Sequence, residues 1–153
     1  MKSHGKAIPK GYHSVTPYLV VHDAEAAIEF YERAFGARET FRMGGPGGRI
    51  AHAEVQIGDS RVMLADEDPA MDALGPRSMG GTPVSLMVYV EDVDSAFRTA
   101  LKAGGIQTRP VEDLFYGDRT GSLTDPFGHH WQLATRLEDL SLEEIQQRAL
   151  ATH

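Results

Sequence analysis

The sequence contains no cysteine among its 153 residues. That excludes a disulfide framework, a thiolate metal site and a thiol nucleophile. No apolar run approaches the ~20 residues that a bilayer span needs, so no membrane partner is expected. Positive charge is in deficit: 15 Lys and Arg stand against 22 Asp and Glu, a net charge of −7, with a pI of about 5.4. Nucleic acid needs a basic face to meet its phosphates, so no nucleic-acid partner is expected either. The opening stretch MKSHGKAIPKGYHS is basic but has no apolar signal core, and a cytoplasmic protein is the expectation. What is present is 41% hydrophobic residues, enough to build a core over most of the length. The chain fits one compact domain or two small fused modules.

The organising feature is a repeat. Residues 20–35, VVHDAEAAIEFYERAF, read as the end of a strand, a helix cap and an amphipathic helix. Asp23 suits the N-cap, because its carboxylate can accept from the free N–H groups of the first turn. Ala24, Ala27, Ile28, Tyr31 and Ala34 or Phe35 recur at helical spacing and make one apolar stripe. The pattern returns at an offset of 69 in residues 89–104: Val90, Asp92, Val93, Ala96, Phe97 and Ala100 stand where Val21, Asp23, Ala24, Ala27, Ile28 and Tyr31 stood. Two copies of one supersecondary unit follow.

Along the chain, residues 1–13 read as an arm or frayed end. Residues 14–21 read as a strand made irregular by Pro17. The first helix spans 24–35, with Gly36 as its C-terminal cap. A short strand at 39–43 and a Gly-rich turn precede a strand at 49–57. Its alternation puts Ala51, Ala53, Val55 and Ile57 on the helix side, with His52, Glu54 and Gln56 opposite. Gly58-Asp59 is a two-residue hairpin signal before a strand at 61–65. Residues 66–82 are acidic and Gly/Pro-punctuated, a linker or a lid, with the acidic run on a solvated loop. The second copy carries a strand at 83–90, a helix at 93–103, strands near 106–111 and 119–124, a turn at Asp125-Pro126-Phe127-Gly128 and a strand at 130–135. Ser141 and Glu144 have capping-box spacing and start a helix at about 142–150. The fold class is therefore α+β: two β-α-β-β-β modules forming a curved mixed sheet around a cleft, plus a C-terminal helix. The modules are 14–66 and 83–136, joined by 67–82 and followed by 137–153.

This duplication, the opening TPYLVVHDAEAAIEFYERAFGA and the closing GSLTDPFGHHWQLAT resemble the vicinal oxygen chelate superfamily. That superfamily includes glyoxalase I, extradiol dioxygenases, and fosfomycin- and bleomycin-resistance proteins. The segment Tyr116-Gly117-Asp118-Arg119 and the run from Glu138 to Ser141 are similar to its small PhnB-like branch. The resemblance spans about residues 14–150 and implies four metal-ligand positions. Carried over by the offset of 69, they fall on Thr16 and Ser85 in the first strands and on Met63 and Gln132 in the last. In metal-dependent members these positions hold mostly His and Glu, and the ion polarises two adjacent substrate oxygens. Here they hold hydroxyl, thioether and amide groups, a poor donor set for Zn²⁺, Ni²⁺ or Fe²⁺. No cofactor is expected unless a divalent ion uses relocated ligands.

Strand periodicity assigns Leu19, Val21, Val62, Leu64, Leu86, Val88, Val90, Trp131 and Leu133 to the helix-facing layer. The cleft face then carries Thr16, Tyr18, Arg61, Met63, Ser85, Met87, Tyr89, His130 and Gln132, with Tyr116 and Arg119 in a loop beside the last strands. Tyr rings and Met side chains among a few polar groups suit a small organic ligand. Each residue also has a plainer reading. His52 and Glu54 are an acid/base pair, two ligands of a displaced metal site, or a structural imidazole–carboxylate bond. Tyr18 and Tyr89 stack on a ligand or fill the sheet face. Of His129 and His130, neighbours on a strand, only one can face the cleft. Trp131 belongs to the core. Arg119 binds an anionic group, or pairs with Asp118 or a neighbouring subunit.

Three functions fit. The first, favoured by the four neutral positions, is a metal-free binding protein of the bleomycin-resistance type. As the resemblance implies, it would be a homodimer sequestering an antibiotic or metabolite. The second is a lyase, isomerase or dioxygenase using a relocated metal on His52, Glu54 and His130, or acid/base chemistry by His52 and Glu54. The third is an interaction module with a filled cleft.

Overall fold

The structure, a computed structural model, describes residues 5–152. The chain divides into two compact units, one ending at Gly80 and the other beginning at Gly81. Each holds a four-stranded mixed sheet with a helix on one face, so the β-α-β-β-β modules of the sequence are the modules of the structure.

In the first unit β1 (Tyr18–Val21) leads into α1 (Ala24–Phe35), then β2 (Arg38–Gly44), β3 (Ile50–Ile57) and β4 (Ser60–Asp66). The strand order is β1-β4-β3-β2, with β1 and β4 parallel and the other pairs antiparallel. The bounds of α1 are those the sequence predicts, because both ends are set locally. Asp23 accepts a 3.1 Å bond from the Ala26 N–H. Gly36 takes the left-handed conformation at φ 67°, so that the N–H groups of Gly36 and Ala37 close on the carbonyls of Glu32 and Tyr31. Ala24, Ala27, Ile28, Phe30, Tyr31 and Ala34 are buried, and Leu19, Val21, Ala53, Val55, Val62 and Leu64 meet them from the sheet. A fully buried aliphatic or aromatic side chain contributes about 1.5–3 kcal/mol, so this layer carries the unit.

Three local expectations change. The first strand starts at Tyr18 rather than at 14, although the Pro17 carbonyl still accepts from the Met63 N–H at 2.9 Å. In β3 the buried residue at the start is Ile50, not Ala51. The register between Met43–His52 and Gly44–Ile50 pairs is broken by an extra residue, and this bulge reverses the alternation there. Residues 5–13 form neither helix nor strand, yet Tyr12 is tied down, with the Arg61 guanidinium 5.2 Å above its ring. Residues 1–4, also expected in that arm, lie outside the described residues.

The acidic run after β4 also differs from a solvated loop. Asp66 ends β4 with its carboxylate turned inward, accepting from Ala24 N–H at 2.6 Å and Ile50 N–H at 2.7 Å. One side chain thereby holds the N-terminus of α1 and the start of β3. The Glu67 N–H donates to the Val21 carbonyl at 3.0 Å, and the Gly75 N–H donates to Glu67 at 2.8 Å. Gly75 lies so close to β1 that a Cβ there would sit 2.8 Å from the Val20 carbonyl oxygen. The short helix α2 (Pro76–Met79) follows, with Pro76 buried.

The second unit repeats the plan with β5 (Ser85–Tyr89), α3 (Val93–Ala103), β6 (Ile106–Asp113), β7 (Asp118–Thr124) and β8 (His130–Arg136) in the order β5-β8-β7-β6. Asp92 caps α3 by accepting from the Ser95 N–H at 3.2 Å. Gly121 lets α3 approach β7: a Cβ there would fall 2.8 Å from the Phe97 ring. Trp131, Leu123 and Leu133 are buried as the alternation predicts, whereas Leu86, Val88 and Val90 are half-buried. Their strand is the sheet edge, and α3 packs chiefly on β6, β7 and β8. Buried Asp125 fixes the turn before β8, accepting from the Phe127 and His129 N–H groups and from Trp131 Nε1, each at 2.9 Å. Helix α4 (Leu142–Thr152) begins at the capping box, where the Glu144 N–H donates to Ser141 Oγ at 3.1 Å.

The position equivalent to Asp66 in the second unit is Thr135. Its hydroxyl accepts from the Val93 N–H at 2.9 Å and donates to the Val90 carbonyl at 2.8 Å. Hydrogen bonds to a charged group are worth about 1.5–3 kcal/mol, against about 1 for neutral ones. Asp66→Ala is therefore expected to destabilise the protein by about 3 kcal/mol and Thr135→Val by about half that, read from urea denaturation midpoints. Equal losses would contradict this ranking.

Candidate functional site

In the first unit the face of the sheet away from α1 carries a row set by register: Tyr18 beside Met63, Met63 beside Glu54, and Glu54 beside Phe41. His52 lies two residues from Glu54 on the same strand face and pairs with Met43. The Tyr18 hydroxyl is 2.9 Å from His52 Nδ1, and His52 Nε2 is 2.7 Å from Glu54 Oε2. A carboxylate only accepts, so Nε2 carries the hydrogen; in the neutral form of the ring, Nδ1 accepts and Tyr18 donates. The imidazole is screened by two rings, with Tyr18 at 5.4 Å and Phe41 at 6.0 Å between centroids. His52 and Glu54 side chains are 20% and 18% exposed, whereas Tyr18, Phe41 and Met43 are about half exposed. The result is a sheltered hydrogen-bonded chain under an aromatic and thioether rim.

Arg61 lies further along β4 on that face. Its guanidinium is held by Gln56, by Thr40 Oγ1 at 3.1 Å and by the Tyr12 ring. Thr16, half-buried, precedes β1 and belongs to no strand.

In the second unit the face away from α3 carries Ser85, Met87 and Tyr89 on β5, all exposed, and half-buried His130 and Gln132 on β8. Gln132 stands between Met87 and Ser122, and His130 Nδ1 is 3.0 Å from Thr124 Oγ1. Tyr89 donates to Asp118 Oδ2 at 2.7 Å. Asp118 is 1% exposed. Among the described residues its Oδ1 accepts no hydrogen bond, and Arg136 Nε lies 3.5 Å away. The Asp118 hydrogen bond, then burial, hold the Tyr89 hydroxyl protonated above the ordinary phenol range. Burial and the Asp118 charge raise Tyr116 in the same direction.

Arg119 is on the other side of β7 from this group. It shares that side with Gly121, which packs on Phe97, and it reaches Asp94 in the first turn of α3 with two bonds at 2.9 and 3.0 Å and Asp113 with one at 2.9 Å. Both carboxylates hold the guanidinium charged more firmly than usual. It clamps the helix to the sheet, and its donors are not offered on the face that bears Tyr89. Sequence reasoning also passed over Phe41, Met43 and Arg136, and weighed Asp118 only as a partner of Arg119, which the structure pairs with Asp94 and Asp113 instead. Alternation around Arg42 carries the signal for the first two. Asp118 stands in the quoted Tyr-Gly-Asp-Arg segment, two positions in phase with Thr120 and Ser122.

The residues do not fit a family-type divalent metal. Thr16, Met63, Ser85 and Gln132 supply neither imidazole nor carboxylate. Within either unit, among the described residues, no three His, Asp or Glu side chains are grouped so that they could hold an ion. None of the described helices is long and apolar enough to cross a membrane.

The comparisons with known proteins agree with this architecture. The family model described as Glyoxalase/Bleomycin resistance protein/Dioxygenase superfamily matches residues 11–133. An uncharacterised protein of Mycobacterium tuberculosis is 44% identical over 136 residues, covering 87% of this chain and 80% of the relative. The crystal structure of TioX from Micromonospora sp. ML1 superposes with a TM-score of 0.64 at 26% identity, covering 84% of this chain and 100% of TioX. A Bacillus cereus PhnB protein, named as a putative 3-demethylubiquinone-9 3-methyltransferase, shares the fold at a TM-score of 0.63 and 22% identity, covering 80% and 99%.

The raised Tyr89 gives a pH test. A phenol whose folded value exceeds its unfolded value of about 10 contributes stability that is intact below that pH and lost as pH rises through the folded value. In an alkaline absorbance titration, the phenolate transition absent from Tyr89→Phe should lie above the ordinary tyrosine range. It should move to lower pH in Asp118→Asn. An unmoved transition would show that Asp118 does not hold the proton.

Proposed function

The chain belongs to the glyoxalase/bleomycin resistance protein/dioxygenase superfamily, and from that premise we propose that it is a metal-free member that binds a small organic ligand. The observation that carries the reading is the chemistry of the four family ligand positions, Thr16, Met63, Ser85 and Gln132, none of which suits a transition metal. Binding without a metal needs apolar contact area and a few oriented polar groups. Each unit's sheet face offers such area by itself: exposed Tyr18, Phe41 and Met43 in one, exposed Met87 and Tyr89 in the other. His52 and Glu54 supply the polar groups on the first face, His130 and Gln132 on the second. Sequestration of an antibiotic or metabolite requires affinity and no reacting group. A cytoplasmic homodimer is part of the same proposal, in keeping with the family resemblance.

A second reading, metal-free acid/base catalysis by His52 and Glu54, is favoured by one observation: the imidazole is already bonded at both nitrogens, to Tyr18 and Glu54. A general base oriented by a carboxylate is a recurrent arrangement. It differs from the first reading in needing turnover.

The metal-free reading is tested on untagged protein purified without chelator. It predicts much less than one equivalent of Zn, Ni, Fe or Mn per chain, and no rise in melting temperature on adding any of them. Library compounds at a hundredfold excess over Kd should raise native-state stability by about 2.7 kcal/mol, and Tyr18→Ala or Met87→Ala should reduce that gain. One bound metal per chain would overturn the proposal.

A further inference from the structure

The Tyr18–His52–Glu54 chain does more than fill a sheet face. We propose that it is a proton relay that lets this face take up an acidic hydroxyl, such as a phenol or a stabilised enol, as its anion, with the proton stored on His52. This rests on the metal-free binding reading and names the ligand class for the same site.

The polarity of the chain gives the direction. With the imidazole neutral, Tyr18 spends its hydrogen on His52 Nδ1, because Nε2 holds the hydrogen that Glu54 accepts. What Tyr18 presents outward is therefore an acceptor, the remaining lone pairs of a side chain that is 50% exposed. A ligand O–H can donate to that oxygen. Its proton then moves to the Tyr18 oxygen while the Tyr18 proton moves to His52 Nδ1. The ligand oxygen becomes an anion, the tyrosine is again neutral, and the imidazolium is stabilised by the Glu54 carboxylate 2.7 Å away. Two protons each move across one hydrogen bond, a net transfer of one proton from the ligand to His52, and no other reactant is needed.

The surroundings suit such a ligand. Tyr18, Phe41, Met43 and Met63 offer flat, polarisable contact for a conjugated ring. Partial burial of the imidazole–carboxylate pair strengthens it relative to water. The charged groups on neighbouring elements are already engaged: Arg61 with Gln56 and Thr40, Arg42 with Glu39 and Glu25, and Asp66 with two backbone N–H groups. They do not compete for the proton. The guanidinium of Arg61, on the same face one alternate residue from Met63, adds attraction for an anion. The second unit has no such chain: by register Ser122 stands in the place of Glu54, and Thr120 in that of His52.

The test uses a matched pair of probes on the intact protein, 4-nitrophenol and 4-nitroanisole, which differ by the acidic hydroxyl. The phenolate band is read about one pH unit below the free phenol's own pKa, where about a tenth is ionised in buffer. The wild type should bind both probes and raise the ionised fraction of bound nitrophenol to about half or more, a roughly fivefold gain. Glu54→Gln and Tyr18→Phe should return it towards the buffer value while keeping nitroanisole binding. His52→Gln should do the same, with melting temperature confirming that each variant is folded. Nitroanisole bound with nitrophenol left protonated would overturn the relay and leave ligand binding standing. Ionisation that survives Glu54→Gln and His52→Gln would also overturn it, since another group would hold the proton. If neither probe binds at millimolar concentration, the relay falls, and binding at this face falls with it.

Discussion

The contact on which the first unit depends is the one made by the Asp66 carboxylate, which satisfies the first free N–H of α1 and the first N–H of β3 at once. Helix starts leave N–H groups without partners and carry partial positive charge, so an anion there is favoured twice, by hydrogen bonding and by the dipole. Because Asp66 ends β4, which runs parallel to β1, the same bond fixes where the helix leaves β1. The apolar stripe of α1 then faces Ala53, Val55 and Leu64. In the second unit a neutral hydroxyl, Thr135, does the equivalent work at the equivalent position and also reaches back to Val90. The repeat has kept the geometry and changed the chemistry that enforces it.

Much of this was legible because it is local. The bounds of α1 and α3 follow from Asp23, Gly36 and Asp92 with partners within a turn. The capping box of α4 and the hairpin at Gly58-Asp59 are similarly short-range, and Ile57 does pair with Ser60 across that turn. What resisted reading depends on partners far along the chain. Asp66 looks like the first residue of an acidic loop until Ala24 and Ile50, 42 and 16 positions away, are placed beside it. Arg119 looks free to meet an anion until folding brings Asp94 alongside, 25 positions away. The bulge that turns Ile50 inward in place of Ala51 comes from the pairing of β2 with β3. Periodicity along one strand carries no record of an extra residue in register.

The candidate site shows the same division. Alternation was enough to put His52 and Glu54 on one face with Met63, and Met87 with Gln132. It could not say that Tyr18 would close the chain to His52, because that bond joins β1 to β3 across the intervening β4. Nor could it distinguish Tyr89, bound to a carboxylate buried in its own unit, from Tyr18, bound to an imidazole. The two phenols therefore have different chemistry. Asp118 is an acceptor that ties Tyr89 to its proton. His52 is bonded at both ring nitrogens, to Tyr18 and to Glu54.

Duplication supplies two sheet faces built to one plan, and divergence has made them unequal. In a metal-dependent member both copies would contribute ligands to one ion, so neither face could change its donors alone. In this chain the equivalent positions, Thr16, Met63, Ser85 and Gln132, supply neither imidazole nor carboxylate to enforce such coupling. Each face is then constrained only by its own register and by the helix behind it. The titratable chain has accumulated on one face. The other carries His130 bonded to Thr124, Tyr89 bonded to buried Asp118, an amide and hydroxyls, with no imidazole–carboxylate bond among its described residues. Under the proposed relay, a ligand without an acidic hydroxyl still has the aromatic and thioether contacts of the first unit's face but leaves the half-exposed Tyr18 oxygen to solvent and gains nothing from the imidazole–carboxylate pair.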